Sequence, residues 1–328
     1  MATNGFKPDF IDPIRKSLSV NWPTLNANQQ QDLAEVGDNG KLHYDHFSLA
    51  LSKTRRFPFY TATNIDGGLF KKIKRAEIFD GGKDVWEEDS RAGGFQWGQK
   101  LYDAPKSYFD RGHMTKREDP QWGQSIGEAK RAARSTFQFP NCVPQHAALN
   151  QRIWASLETY ILTKQSVPNQ LRICVFTGPV ISPDDPEFVT TVNGQTVQLP
   201  VLFWKVVYYS NDGKSLSRVA FLMGQEDLLI DSGIARSKTQ VRILSTFFAP
   251  EKKLFMDYED AETFQINMKT VQKLSGLTFP KAKEPYKDTR PLKLIKKVVQ
   301  AKDKKKTILL TINAELLIPE FKITNIKL

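Results

Sequence analysis

Phe109-Asp110-Arg111-Gly112-His113-Met114 is the stretch on which the reading of this chain turns. An unperturbed imidazole titrates near about 6.5, so His113 offers a neutral base at physiological pH. Arg111 presents a planar fork of donors suited to an oxyanion such as phosphate. Gly112 lets the backbone approach a ligand closely or take a positive φ. Asp110 is placed to accept hydrogen bonds and hold the turn. A base and a cation are thus set side by side. Alone, Asp-Arg-Gly-His describes an exposed charged loop equally well, so the weight falls on what flanks it.

Upstream, residues 80–112 are rich in Gly, Asp and Trp and read as a long loop, the kind of segment in which function concentrates. Before it, Lys71 to Phe79 reads as a strand. Another begins at Arg56, with Phe57 and Phe59 alternating and Asn64-Ile65-Asp66-Gly67-Gly68 offering a turn. Residues 1–40 form a polar N-terminal extension with short helices expected over 9–18 and 26–36. His43 and His46 lie beside Tyr44 and Phe47 with no further Cys or His nearby, which favours packing over metal binding. Downstream, residues 124–135 read as a helix rich in Ala. Residues 145–164 read as a stronger one, with Leu149, Ile153, Leu157, Tyr160 and Ile161 on one face and Pro144 at its start. Three runs rich in β-formers follow, 171–176, 197–209 and 216–223, the last two joined through Asn211-Asp212-Gly213. Residues 263–274 read as a helix closed by Gly276. Residues 280–291 read as a linker, and 307–312 and 321–326 as two short strands.

The chain has 328 residues, 47 Lys+Arg against 36 Asp+Glu, and a net charge of +11. Residues 281–328 carry 13 basic against 5 acidic side chains, so the surplus is concentrated there. Such a surplus favours a polyanionic partner. Cys142 and Cys174 cannot make a disulfide framework and read as buried thiols. No apolar run approaches about 18 residues, so no membrane partner is expected. The start, Met1-Ala2-Thr3-Asn4-Gly5-Phe6-Lys7-Pro8, has no apolar stretch behind a basic end, which leads to an expected cytoplasmic location.

Phosphodiester hydrolysis needs a base for water, positive charge over the phosphorus, and stabilisation of the leaving oxygen. The motif is not alone, for three blocks appear in a fixed order. The first runs from His46-Phe47-Ser48 through Arg55-Arg56 to Tyr60-Thr61-Ala62-Thr63-Asn64-Ile65-Asp66-Gly67. The second is 109–114. The third runs from Thr136-Phe137 to Asn141, then Pro144-Gln145, Leu149-Asn150-Gln151, Trp154 and Leu157-Glu158. Thr177-Gly178-Pro179 and Phe203-Trp204-Lys205-Val206 follow. Over residues 41–280 the chain resembles the DNA/RNA non-specific endonuclease family, whose members include endonuclease G.

The resemblance implies an α+β fold with a central antiparallel sheet flanked by helices and a ββα-metal site. It implies cleavage of DNA and RNA to 5′-phosphate and 3′-hydroxyl ends with Mg²⁺ (or Mn²⁺). By the same resemblance His113 is the general base and Asn150 the direct metal ligand. Arg111 and Arg75 contact phosphate, with Arg91 the rival for Arg75. Glu158 organises water around the ion, and Asn141 supports the His113 segment. Asn150 and Glu158 are eight residues apart, about 12 Å of helix rise, so both are not expected to ligate one ion directly. A homodimer is among the partners the resemblance brings into view. A nuclease kept inside its own cell also needs restraint, so a regulatory protein or inhibitor is expected, with residues 281–328 as a basic C-terminal extension that contacts it or nucleic acid. The alternative is a catalytically silent nucleic-acid-binding or scaffold protein of the same fold.

Overall fold

The computed structural model describes residues 5–79, 81–147, 153–237, 263–298 and 321–328. Its strands, in chain order, begin with β1 (Lys41–His43), β2 (Phe47–Leu51) and β3 (Pro58–Asp66). Next come β4 (Phe109–His113) and β5 (Cys142–His146), then β6 (Arg172–Pro179), β7 (Glu187–Phe188), β8 (Leu202–Tyr209) and β9 (Ser217–Gly224). The last are β10 (Ala235–Arg236), β11 (Thr263–Ile266), β12 (Leu292–Lys293), β13 (Lys296–Val298) and β14 (Phe321–Ile323). Eight of them form one sheet in the order β1-β2-β3-β6-β8-β9-β11-β12. Every pairing in it is antiparallel. The ribbon β4–β5 stands apart from that sheet.

The central strands β3 and β8 are buried along their whole length, so both faces of the sheet are covered. On one face Phe176 and Trp204 receive Phe279, at ring distances of 6.2 and 5.3 Å, and Phe176 also receives Phe6. The other face carries the row Thr61, Thr177 and Lys205, directly in register across β3, β6 and β8. That polar row is buried and faces the site described below.

Several elements differ from expectation, for identifiable reasons. Residues 9–18 form turns, because Asp12 accepts from the backbone N–H groups of Arg15 and Ser17 at 3.4 and 3.3 Å, which competes with a helix. The expected strand at 71–79 is irregular, with one 3₁₀ turn at Arg75–Glu77. Ile73, Ile78 and Phe79 are all buried against Ala129, Ala133 and Phe137. A strand would turn neighbours 78 and 79 to opposite faces. His113 ends a strand rather than sitting in a loop. Pro144 lies within β5 instead of opening a helix, and its carbonyl accepts from Gln225 Nε2 at 3.0 Å. The helix behind it runs over Ile153–Thr159 and widens into a π-helical turn at Tyr160–Ser166. Residues 263–266 pair as β11, and the helix there is Met268–Ser275, closed by Gly276 at φ 71 as expected.

The described parts of the C-terminal segment, 281–298 and 321–328, pack into the fold. β12 completes the sheet, Leu294 and Ile323 are buried, and Gln265 exchanges hydrogen bonds with the Lys327 backbone at 2.7 and 2.9 Å. At the other end, Phe6, Phe10 and Val20 enter the same core. The expected strand at 307–312 lies outside the described residues. Both thiols are buried and free. Among the described residues no helix is long and apolar enough to cross a membrane.

Candidate active site

β4 and β5 pair with Arg111 opposite Pro144, Gly112 opposite Val143 and His113 opposite Cys142. Gly112 is absent from the residues at positive φ, so its role is spatial. A Cβ there would clash with the side chain of Gln145, which lies across the glycine. On the alternate face Arg111 sits 5.0 Å above the Tyr102 ring.

Asn141, fully buried, clasps the chain just past His113. Its side-chain oxygen accepts from Thr115 N at 2.9 Å, and its nitrogen donates to the carbonyls of Thr115 and Thr136 at 3.0 and 2.9 Å. The Asn141 carbonyl also accepts from Met114 N at 2.9 Å. Three of these hydrogen bonds, to Met114 and Thr115, hold the chain where β4 ends.

The His113 ring lies 4.6 Å from Trp86 and 4.8 Å from Phe137, the latter edge-on at 88°. Its Nε2 is buried and has no hydrogen-bond partner among the described residues. Burial, reinforced by the Arg75 charge, pushes the imidazole pKa down to about 3, against opposing pulls from Glu118 and Asp84. The ring is accordingly a neutral base across the physiological range.

Arg75 belongs with His113, whereas Arg91 does not. Arg91 is held by Asp89 and stacks 4.8 Å over Tyr44. Arg75 gives its Nε to both oxygens of Asp84 at 2.9 and 3.0 Å, and its Nη2 also pairs with Asp84. Nη1 is the donor that Asp84 does not engage. Burial pushes the Asp84 carboxyl up, but the Arg75 hydrogen bonds and charge outweigh it and hold the group below its usual range.

Glu158, buried on the Ile153–Thr159 helix, faces Lys205 at 3.3 Å between Oε1 and Nζ. The pair is close in distance but lacks hydrogen-bond geometry, so Oε1 remains unsatisfied in that sense. Lys116 Nζ donates to Thr159 Oγ1 of the same helix at 3.2 Å and lies 3.8 Å from Glu118. Arg117 pairs with Glu118. Asp119 is buried, and desolvation, with Lys205 pulling the other way and Glu158 adding to it, pushes its carboxyl up to about 7.

Asn150 lies outside the described residues. Within them no group of three His, Cys, Asp or Glu side chains converges on one point. The donors that are placed here are hard oxygens, foremost the Glu158 carboxylate, whose Oε1 is buried without a hydrogen bond, with Glu118 and Asp119 nearby. That chemistry fits a hydrated divalent cation of the Mg²⁺ kind, which keeps most of its own waters, and not a soft-metal site.

Sequence reasoning gave no role to Asp84, Trp86, Arg117, Glu118, Asp119 or Lys205. The dense run Lys116-Arg117-Glu118-Asp119 directly after the motif was a usable signal. Asp84 and Trp86 arrive on irregular chain and left none. Cavities of about 560 and 550 Å³ elsewhere contain none of the site residues.

A family model for DNA/RNA non-specific endonucleases matches residues 26–285, and the chain belongs to that family. It is 35% identical over 240 residues to "Uncharacterized protein y4fB" of Sinorhizobium fredii (strain NBRC 101917 / NGR234). That match covers 69% of this chain and 33% of the relative, so the chain spans a third of the relative's length. The fold is similar to that of a chain in the crystal structure of the EndoG/EndoGI complex, which addresses the mechanism of EndoG inhibition. The TM-score is 0.50 at 18% identity, over 73% of this chain and 84% of that one. At that identity the likeness concerns the fold alone: a mixed α/β architecture with a large antiparallel sheet and few helices, as a ββα-metal nuclease has.

Proposed function

We propose that this chain is a metal-dependent, sequence-non-specific endonuclease that hydrolyses DNA and RNA to 5′-phosphate and 3′-hydroxyl ends. One observation carries the reading: a desolvated, neutral His113 whose Nε2 has no partner among the described residues, beside Arg75 and Arg117. His113 Nε2 takes the proton from the water that attacks phosphorus in line. Arg111 and the Nη1 edge of Arg75 hold the phosphate oxygens and offset the charge that builds on them. Asn141 keeps the imidazole in place. A divalent cation, Mg²⁺ or Mn²⁺, held by Asn150 and steadied through Glu158, supplies further positive charge at the phosphate and leaving 3′-oxygen when bound. Contacts to phosphate and sugar carry no base information, which supports low sequence preference.

The test is digestion of single- and double-stranded DNA and RNA, with Mg²⁺ and with EDTA, by wild type and His113→Ala. Wild type should cut all four with Mg²⁺, and both EDTA and His113→Ala should stop it with folding intact. Normal cutting by His113→Ala defeats the assignment, and binding without cutting by wild type favours a silent scaffold. Restraint by a partner belongs to the same proposal. The support for it is that an EndoG fold is found with an inhibitor.

A further inference from the structure

We propose that Lys205 is a positioning residue of this site: its ammonium, projected from the middle of the sheet, fixes the Glu158 carboxylate relative to the segment that follows His113. The inference rests on the nuclease reading above. Lys205 is 1% exposed, in a strand buried throughout. A lone ammonium there is heavily penalised by desolvation unless paired, and an aliphatic side chain would fill the strand more cheaply. Its surroundings supply the reason for a charge. Nζ donates to Thr177 Oγ1 at 2.8 Å, from the residue directly in register on β6. It lies 3.3 Å from Glu158 Oε1. Buried Asp119, at the end of the post-His113 segment, lies in the field of both Lys205 and Glu158. One cation therefore ties the sheet to the helix bearing Glu158, and its charge also acts on Asp119 in the segment leaving His113. Lys116 makes a further link to the same helix through Thr159 Oγ1. Without the Lys205 ammonium the Glu158 carboxylate has no cation holding it against the sheet and loses its fixed place.

The test separates positioning from simple charge balance. Lys205→Met combined with Asp119→Asn removes the ammonium and the neighbouring acid at nearly constant volume, so that Glu158 is not left beside a second acid that has lost its counter-charge. The double variant should melt close to wild type. Its Mn²⁺ dissociation constant, measured by calorimetry on the full chain, should rise at least about tenfold, and adding Glu158→Gln should weaken it little further. A double variant that melts normally and binds Mn²⁺ like wild type overturns the proposal. If the double variant does not fold, Lys205→Arg carries the test, because it keeps the charge but moves its centre. Weakened Mn²⁺ binding supports positioning, and wild-type affinity overturns it. A wild-type chain that neither binds Mn²⁺ nor cuts sinks the nuclease reading itself, whereas wild type that cuts beside indistinguishable variants sinks only the role of Lys205.

Discussion

His113 is unusual in being a base kept from its proton by its surroundings. In the unfolded chain an imidazole protonates near about 6.5, but in the fold the ring protonates only near about 3. Between those values the unfolded state binds the extra proton. The neutral ring's contribution to stability is therefore complete above the unfolded value and is lost as pH falls toward the folded one. For catalysis the consequence is an acid limb displaced downward. A profile of kcat/KM against pH on plasmid DNA should stay level through the ordinary imidazole range, and a limb centred near about 6.5 would contradict the buried setting. Arg75 is the second cause of the depression. Arg75→Gln should thus cut the rate on the order of a hundredfold, as loss of a charge-stabilising donor does, and also move the limb upward. His113 and Arg111 were legible because the motif is contiguous. Asp84 and Trp86 were not, since nothing periodic marks the irregular chain that brings them to Arg75 and His113.

The ribbon β4–β5 sets these side chains, and its anchor is Asn141. Asn141→Ala leaves the Thr115 N–H and the carbonyls of Thr115 and Thr136 without their partner in a buried place. The expected loss is on the order of 3 kcal/mol, read as a lower midpoint in urea denaturation, with kcat reduced as the end of β4 loosens. Asn141→Asp should do no better, because it keeps the acceptor but turns two donors into a charge facing carbonyls. A midpoint unchanged in Asn141→Ala would remove Asn141 from this role. At this scale the sequence was clear where periodicity was uniform. The long strands β6, β8 and β9 and the helix Ile126–Ser135 lie where the pattern put them. It misled where tertiary contact overrode pattern, as at Pro144, whose strand place is fixed by β4 and Gln225. Gly112 was singled out for close approach to a ligand or a positive φ, whereas the fold uses its missing side chain as room for Gln145, at a φ that is not positive.

Charge is the property of the molecule as a whole that bears most on its substrate. At the site Arg75, Arg111, Lys116 and Arg117 are partly offset by Asp84 and Glu118, leaving a local surplus of about two. Two neutralised phosphates on duplex DNA give a salt slope of roughly −1.8 in log affinity against log salt. The net +11 of the chain, concentrated in residues 281–328, makes a steeper dependence the expectation if that segment meets nucleic acid. Deleting the segment cannot test this, since it would strip β12 and Ile323 from the fold. Charge removal can. Replacing Lys302, Lys304, Lys305 and Lys306 with Gln should flatten the slope of KM against NaCl by up to about 3.6, leaving kcat at saturating DNA unchanged. An identical slope in the variant would assign those lysines to some other polyanionic partner or to none, and would leave phosphate recognition to the four cations around His113.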